Sequence, residues 1–227
     1  MQNSIFDIED LESNPSARIP VAIVSDTSGS MLGAPIDELN AGINLFYDTI
    51  KKDDYAYSAA EIAAVTFGGE ARCHSYFKPV YNQPYAPHFK ADGNTPMGEG
   101  VNLALDMLER RKEEYKRCGV SYYQPWLVLM TDGQPNGSAA ELQRARDRVA
   151  QLVNNRKLTV IPIGIGPNAD MNVLSEFSPR LKPLRLKGLR FKDFFSWFSQ
   201  SVSSVAQSQP GDMVSLDLDS IKGWAEL

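Results

Sequence analysis

The stretch IVSDTSGSMLGAPI, residues 23–36, carries an apolar run straight into Asp26, Thr27, Ser28 and Ser30, with Gly29 between the two serines. The run it ends, Arg18 to Ser25 (RIPVAIVS), is continuous rather than alternating, which is the pattern of a strand buried on both faces. Beyond it, Ile36, Leu39, Ile43, Phe46, Tyr47 and Ile50 recur at helical spacing, so Pro35 to about Lys51 reads as a helix with proline in its first turn. A strand, a polar turn and a helix follow one another within some thirty residues. Taken alone, the polar turn reads as a helix cap, because Ser and Asp accept hydrogen bonds from the first free N–H groups of a helix.

Working outward, strand-like and helix-like segments alternate. Glu61–Phe67 (EIAAVTF) is a second buried strand, and Cys73–Val80 is a more polar one suited to a sheet edge. After a loop rich in Tyr, Pro and His, Met97 to about Lys116 shows a helical stripe. Trp126–Thr131 (WLVLMT) is a short buried strand, and Ala139–Asn155 is helical. Leu158–Gly166 is a strand in spite of Pro162, which lacks an N–H and limits pairing on one side. A short helix near Met171–Phe177, a strand near Pro183–Leu186 and a Phe-rich helix from Phe191 to about Val205 follow. This alternation predicts an α/β fold, a doubly wound, Rossmann-like and mostly parallel sheet with helices on both faces. The expected division is an extension over 1–18, one domain over 19–205 and an acidic tail over 206–227.

In such a sheet, ligands sit beyond the carboxyl ends of the strands, and three polar loops fall there. The first strand leads into Asp26-Thr27-Ser28-Gly29-Ser30. The WLVLM strand leads into Thr131-Asp132-Gly133-Gln134-Pro135. Between them, Gly93-Asn94-Thr95-Pro96 precedes a helix. Two carboxylates, three short hydroxyls and no adjacent Cys or His form a hard-oxygen donor set, suited to Mg²⁺, with Mn²⁺ or Ca²⁺ as substitutes. The candidate metal residues are therefore Asp26, Ser28, Ser30, Thr95 and Asp132. With matching loops at two further positions, the capping reading of Asp26–Ser30 gives way to the metal reading. Thr27, Asn94, Gln134, Tyr85 and His88 are the expected rim around it, where a partner would rest.

The pattern resembles the metal-ion-dependent adhesion site (MIDAS) of von Willebrand factor A domains: Asp-x-Ser-x-Ser, a separate Thr, and an Asp in a Thr-Asp-Gly turn. All five positions are matched, over about Ile19 to Val205. The wider strings DTSGSM, G-TPMGE and LMTDGQP are similar to a TerY-like bacterial branch associated with tellurium resistance and stress response. The resemblance implies a six-stranded sheet with one short antiparallel edge strand. It also implies direct metal bonds from Ser28, Ser30 and Thr95, with Asp26 and Asp132 acting mostly through water. The function it implies is non-enzymatic: a metal-dependent module that takes an Asp or Glu side chain from a protein partner, with kinase-like, phosphatase-like or other ter-type proteins as expected partners.

Bulk properties agree. The 227 residues are 43% hydrophobic and 22% charged, with a net charge of −5, so there is material for a core and no basic footprint for nucleic acid. No run approaches the roughly 18 apolar residues of a membrane span, and no signal peptide is evident. Two cysteines, Cys73 and Cys118, make no disulfide framework, which points to a reducing, cytoplasmic setting. Cys73 adjoins His74, but without the paired spacing of a zinc site. The alternative is an Mg²⁺-dependent phosphotransfer or phosphatase enzyme with Asp26 as nucleophile. Against it, position 28 is Ser where such an enzyme carries a second Asp, and no lysine flanks the loops. No P-loop or GxSxG motif occurs. Finally, Glu9, Asp10, Asp217 and Asp219 place carboxylates in the terminal segments, where they are candidates for self-association through a neighbour's metal site.

Overall fold

The computed structural model describes residues 11, 13–211 and 216–227 of the chain. Seven strands form one sheet in the order β3-β2-β1-β4-β5-β6-β7. The strands are β1 (Ile19–Asp26), β2 (Ala60–Gly68), β3 (Glu70–Pro79), β4 (Trp126–Thr131), β5 (Thr159–Gly164), β6 (Leu184–Leu186) and β7 (Ala225–Glu226). β1, β2, β4, β5 and β6 run parallel to one another, while the two outermost strands, β3 and β7, pair antiparallel with β2 and β6. All eight residues of β1 and all six of β4 are buried, as continuous apolar runs demand of central parallel strands. β3, at the edge, is mostly exposed or half-buried.

Among the described residues, the helices that cover the sheet are α1 (Ala34–Ile50), α2 (Asp54–Ala59), α3 (Met97–Cys118), α4 (Ala139–Asn154), α5 (Met171–Ser175) and α6 (Phe191–Ala206). α1 and α6 share one face. Their aromatic seam includes Phe46 and Phe198, whose rings lie 5.1 Å apart. α3, α4 and α5 share the other, over Val24, Val65, Leu127 and Leu129. Each long helix buries the stripe that its periodicity predicts. Pro162 pairs with Leu129 on the β4 side, and β6 joins β5 only at Ile163 and Gly164.

The expected architecture is observed, with seven strands instead of six. The extra strand comes from the tail. Ala225 and Glu226 pair with Leu186 and Arg185 of β6, and Ile221, Trp224 and Ala225 are buried. Trp224 packs on Trp197 of α6 at a ring distance of 5.7 Å. In a segment expected to be an acidic tail, these few apolar anchors are enough to fold the end of the chain back onto the core. Leu216 and Leu218 pack against the same cluster. Val214 of the alternating stretch lies outside the described residues.

Candidate metal centre

Asp26 ends β1 and Thr131 ends β4. These strands are neighbours in the sheet, and the connections from them leave on opposite faces, α1 on one and α4 on the other. Ligands bind at the crevice such a switch creates. The loops after both strands meet there. Asp26 is completely buried. Its carboxylate accepts the backbone N–H of Ser28 at 2.8 Å and the hydroxyl of Thr131 at 2.5 Å. The hydroxyls of Ser28 and Ser30 are 3.1 Å apart, and Ser30 donates to Asp132 Oδ1 at 2.8 Å. A continuous chain of hydrogen bonds thus runs from one strand end to the other, its Ser30–Asp132 link joining residues 102 positions apart.

Thr95 enters on a third loop, stitched to both of the others. Gly29 N–H donates to Gly93 O at 2.9 Å, and Asp92 N–H to Thr27 O at 2.7 Å. On the other side, Thr95 N–H donates to Asn136 Oδ1 at 2.6 Å, while Asn136 N–H returns a bond to Thr95 O at 3.1 Å. The close approach of this loop needs glycine. Gly93 has a φ of 73°, and a Cβ there would come within 2.5 Å of the Gly69 Cα. Thr95 is buried, at the start of α3.

Burial pushes the Asp26 carboxyl up to about 6. Bonds from Ser28 and Thr131 oppose the rise, and the neighbouring Asp132 carboxylate adds to it. Among the described residues, the hydrogen bonds to Asp26 come from Ser28 and Thr131 and none comes from a cation. The donor set therefore fits a hard divalent ion on two counts: its chemistry is all oxygen, and a buried carboxylate lacks a positive counter-charge. Among the described residues no group of three or more His, Cys, Asp or Glu could hold a metal, so a site here must use hydroxyls. The structure brings Asp26, Ser28, Ser30 and Asp132 into one network and holds Thr95 between the flanking loops.

The expected rim is only partly assembled. Asn94 is exposed, and its carbonyl accepts Gly69 N–H. Gln134 is exposed beside Asp132 and donates to Asp170 at 3.1 Å. Thr27, in contrast, is buried and serves the loop junction through its backbone. Tyr85 is 86% exposed but stands at the wrong end: adjacent Pro84 is bonded by Lys51, at the far end of α1 from the metal loops. Hence Tyr85 is no rim residue. His88 precedes Phe89, whose backbone is held by Asn40 partway along α1, so it lies short of the loops as well. A run of aromatics preceding Thr95 in sequence spans the length of the domain before reaching the site.

Three supporting residues lie outside the candidate metal set and rim: Thr131 beneath Asp26, Asn136 clasping Thr95, and Glu99, which accepts Ser138 N–H at 2.8 Å beside the same clasp. Thr131 carried a signal, a hydroxyl closing an otherwise apolar strand one residue before the candidate aspartate.

A family model of the von Willebrand factor type A domain matches residues 21–183, and the chain belongs to that family. Its members are typically metal-dependent protein-interaction modules that act through the MIDAS loops. Inter-alpha-trypsin inhibitor heavy chain H3 of Pongo abelii is 23% identical over 165 residues, which is 70% of this chain and 18% of that protein. The chain thus spans a small part of the length of the curated relatives it matches. A von Willebrand factor type A structure from Catenulispora acidiphila superimposes with a TM-score of 0.62 at 19% identity, covering 82% of this chain and 43% of that one. Proximal thread matrix protein 1 from the mussel byssus, solved with a zinc-occupied MIDAS motif, gives 0.51 at 19% identity, covering 85% and 46%.

Proposed function

We propose that this chain is a non-enzymatic docking domain that holds a divalent ion and uses it to bind an acidic side chain of a protein partner. The observation that carries this reading is the unbroken Asp26–Ser28–Ser30–Asp132 network, with Thr95 held beside it. Ser28, Ser30 and Thr95 would bind the ion directly, and Asp26 and Asp132 would balance its charge from behind. When bound, the ion supplies an electrophilic position for an external carboxylate. Mg²⁺ is the proposed ion, since hydroxyls, carboxylates and water match its preferences. Asn94 and Gln134 are the exposed polar groups available to a partner alongside it.

The TerY-like placement, with stress-response or phosphorylation-linked partners, rests on the strings DTSGSM, G-TPMGE and LMTDGQP alone. The proposal of a cytoplasmic location rests on the two cysteines, which are free; among the described residues no helix is long and apolar enough to cross a membrane. Docking through the acidic tail finds less support: Asp217 Oδ1 accepts backbone N–H groups of Asp219 and Ser220, and Asp219 pairs with Lys222. Glu9 and Asp10 lie outside the described residues. Phosphotransfer is disfavoured by the burial of Asp26, whose two oxygens are each already engaged.

Calorimetric titration of chelator-treated protein with Mg²⁺ and Mn²⁺ tests the reading. The expected result is one ion per chain, with binding lost in Ser28→Ala while the melting temperature in EDTA changes little. Equal binding by wild type and Ser28→Ala overturns it. Metal-dependent hydrolysis of an aryl phosphate that vanishes in Asp26→Asn would establish the enzyme instead.

A further inference from the structure

The pole opposite the metal loops carries a different chemistry. A cavity of about 780 Å³ opens at the amino ends of β4 and β5, against the carboxyl ends of α3 and α4. Five cations line it, Lys112, Lys116, Arg156, Lys157 and Arg180, against one carboxylate, Glu109. This concentration of positive charge occurs in a chain whose net charge is −5. The volume falls within the range of small-molecule sites, roughly 300–1,000 Å³. Tyr122, half-buried and tilted against Tyr115 at 5.1 Å, lines the same space together with Trp126.

Cations near helix carboxyl ends have an ordinary explanation, since they offset the unpaired carbonyls there. Lys116, in the last turn of α3, is accounted for in that way. Arg156 is not. It adopts a φ of 56°, the one non-glycine residue with positive φ among those described. It occupies the position after the α4 cap at which helices usually place glycine: Arg156 N–H reaches Val153 O at 3.0 Å and Lys157 N–H reaches Leu152 O at 2.8 Å. Arginine there costs backbone strain that glycine avoids, and a cation at a neighbouring last-turn position of ordinary φ would serve the helix carboxyl end equally well. Lys112 is similarly unexpected, because its side chain is only 10% exposed and, among the described residues, its ion pair is with Glu109, at 2.5 Å.

We propose that this cleft binds a phosphate-bearing polyanion, with Arg156, Lys157, Lys116 and Lys112 contacting the phosphates and Tyr122 available to a planar ring. Guanidinium and ammonium groups converging in one concavity suit an ion carrying several charges better than a lone carboxylate. The site is separate from the metal loops, so its occupancy does not depend on how they function.

The test uses the full chain freed of metal, titrated calorimetrically with pyrophosphate and with ATP. Chelation keeps phosphate-bound Mg²⁺ from reporting on the metal loops. The expected result is one pyrophosphate per chain, weakened at least tenfold between low and high salt. Tighter binding of ATP identifies a nucleotide as the ligand class, whereas equal binding assigns the phosphate chain alone. Arg156→Gly is the decisive variant: it removes the cation and relieves the backbone, so affinity falls at least fivefold while the melting temperature holds or rises. Lys222→Gln, at a 79%-exposed side chain remote from the cleft, leaves affinity unchanged. Absence of binding at millimolar pyrophosphate and ATP, or equal losses in Arg156→Gly and Lys222→Gln, overturns the proposal.

Discussion

The Thr131 hydroxyl donates to Oδ2 of Asp26 across 2.5 Å, and both residues are completely buried at the ends of adjacent strands. That contact fixes the carboxylate while leaving its charge unbalanced. Asp26 titrates at about 6 rather than 3.8, so the folded state holds a proton that the unfolded chain has already released. Stability from this group is therefore complete below about pH 3.8 and is lost as pH rises to 6. Above 6 the loss is constant, roughly 3 kcal/mol. Asp26→Asn keeps an acceptor for Ser28 N–H, and the Thr131 hydroxyl can turn to accept from the amide. In EDTA the variant is expected to match wild type near pH 4 and to exceed its stability by roughly 3 kcal/mol at pH 7, with Mg²⁺ binding abolished. Denaturant melts at the two pH values check this, and a constant difference between the proteins would contradict it.

Thr131→Val removes the donor at nearly constant volume. A carboxylate that loses a hydrogen bond is harder to ionise, so the pH at which metal binding reaches half its maximum should move up by about one unit or more. Wild type should lose about tenfold in Mg²⁺ affinity for each pH unit below 6. Calorimetric titrations between pH 5 and 8 measure both midpoints. An unchanged midpoint in Thr131→Val would mean that this bond does not govern the charge on Asp26.

Gly93→Ala probes the junction of the loops. The substitution meets both a positive φ and the Gly69 Cα 2.5 Å away, and neither backbone can yield cheaply. A loss of about 1–3 kcal/mol is expected, together with weaker metal binding, because Gly93 O anchors Gly29 between Ser28 and Ser30. Gly119→Ala is the control: its φ is 67° with nothing within 4 Å of a Cβ, so it should cost stability alone. Chemical denaturation and Mg²⁺ titration of both variants separate the two effects.

Much of this site was legible in the sequence because each loop follows a run of buried residues. Val21–Ser25 and Trp126–Met130 announce their strands by composition, and the residue after such a run must lie at a sheet end. Topology then brings Asp26 and Asp132 together. What stayed hidden depends on contacts that no period encodes. Tyr85 and Thr95 are ten residues apart in sequence, yet the intervening chain travels the length of α1, which local composition does not reveal. Trp224 and Ile221 are isolated apolar residues among polar ones, so their return to the α6 face left no periodic trace. Asn136 reads as an ordinary turn residue until its side chain is seen accepting from Thr95.

The same limit hid Glu61, which the sequence presents as the first residue of an apolar strand. It is completely buried and accepts from Arg111 at 2.7 and 2.8 Å and from Tyr115 at 2.7 Å, with Arg18 Nε 3.2 Å away. Arg111 and Tyr115 lie one turn apart on α3, so Glu61 ties that helix to the amino end of β2, at the pole away from the Asp26–Asp132 loops. Replacing it with Ala would leave two buried guanidinium groups without their shared carboxylate, a defect of about 3–5 kcal/mol. For a domain of this size that lowers the melting temperature by about 10 °C. Glu61→Gln retains an acceptor for Tyr115 but not the charge, and should fall between wild type and Ala. Because the cluster lies at the ends of α3 and β2 opposite to the Asp26–Asp132 loops, Mg²⁺ affinity of the folded fraction should stay within about twofold of wild type. Scanning calorimetry with parallel Mg²⁺ titration distinguishes this from a coupled network, in which both quantities would drop together.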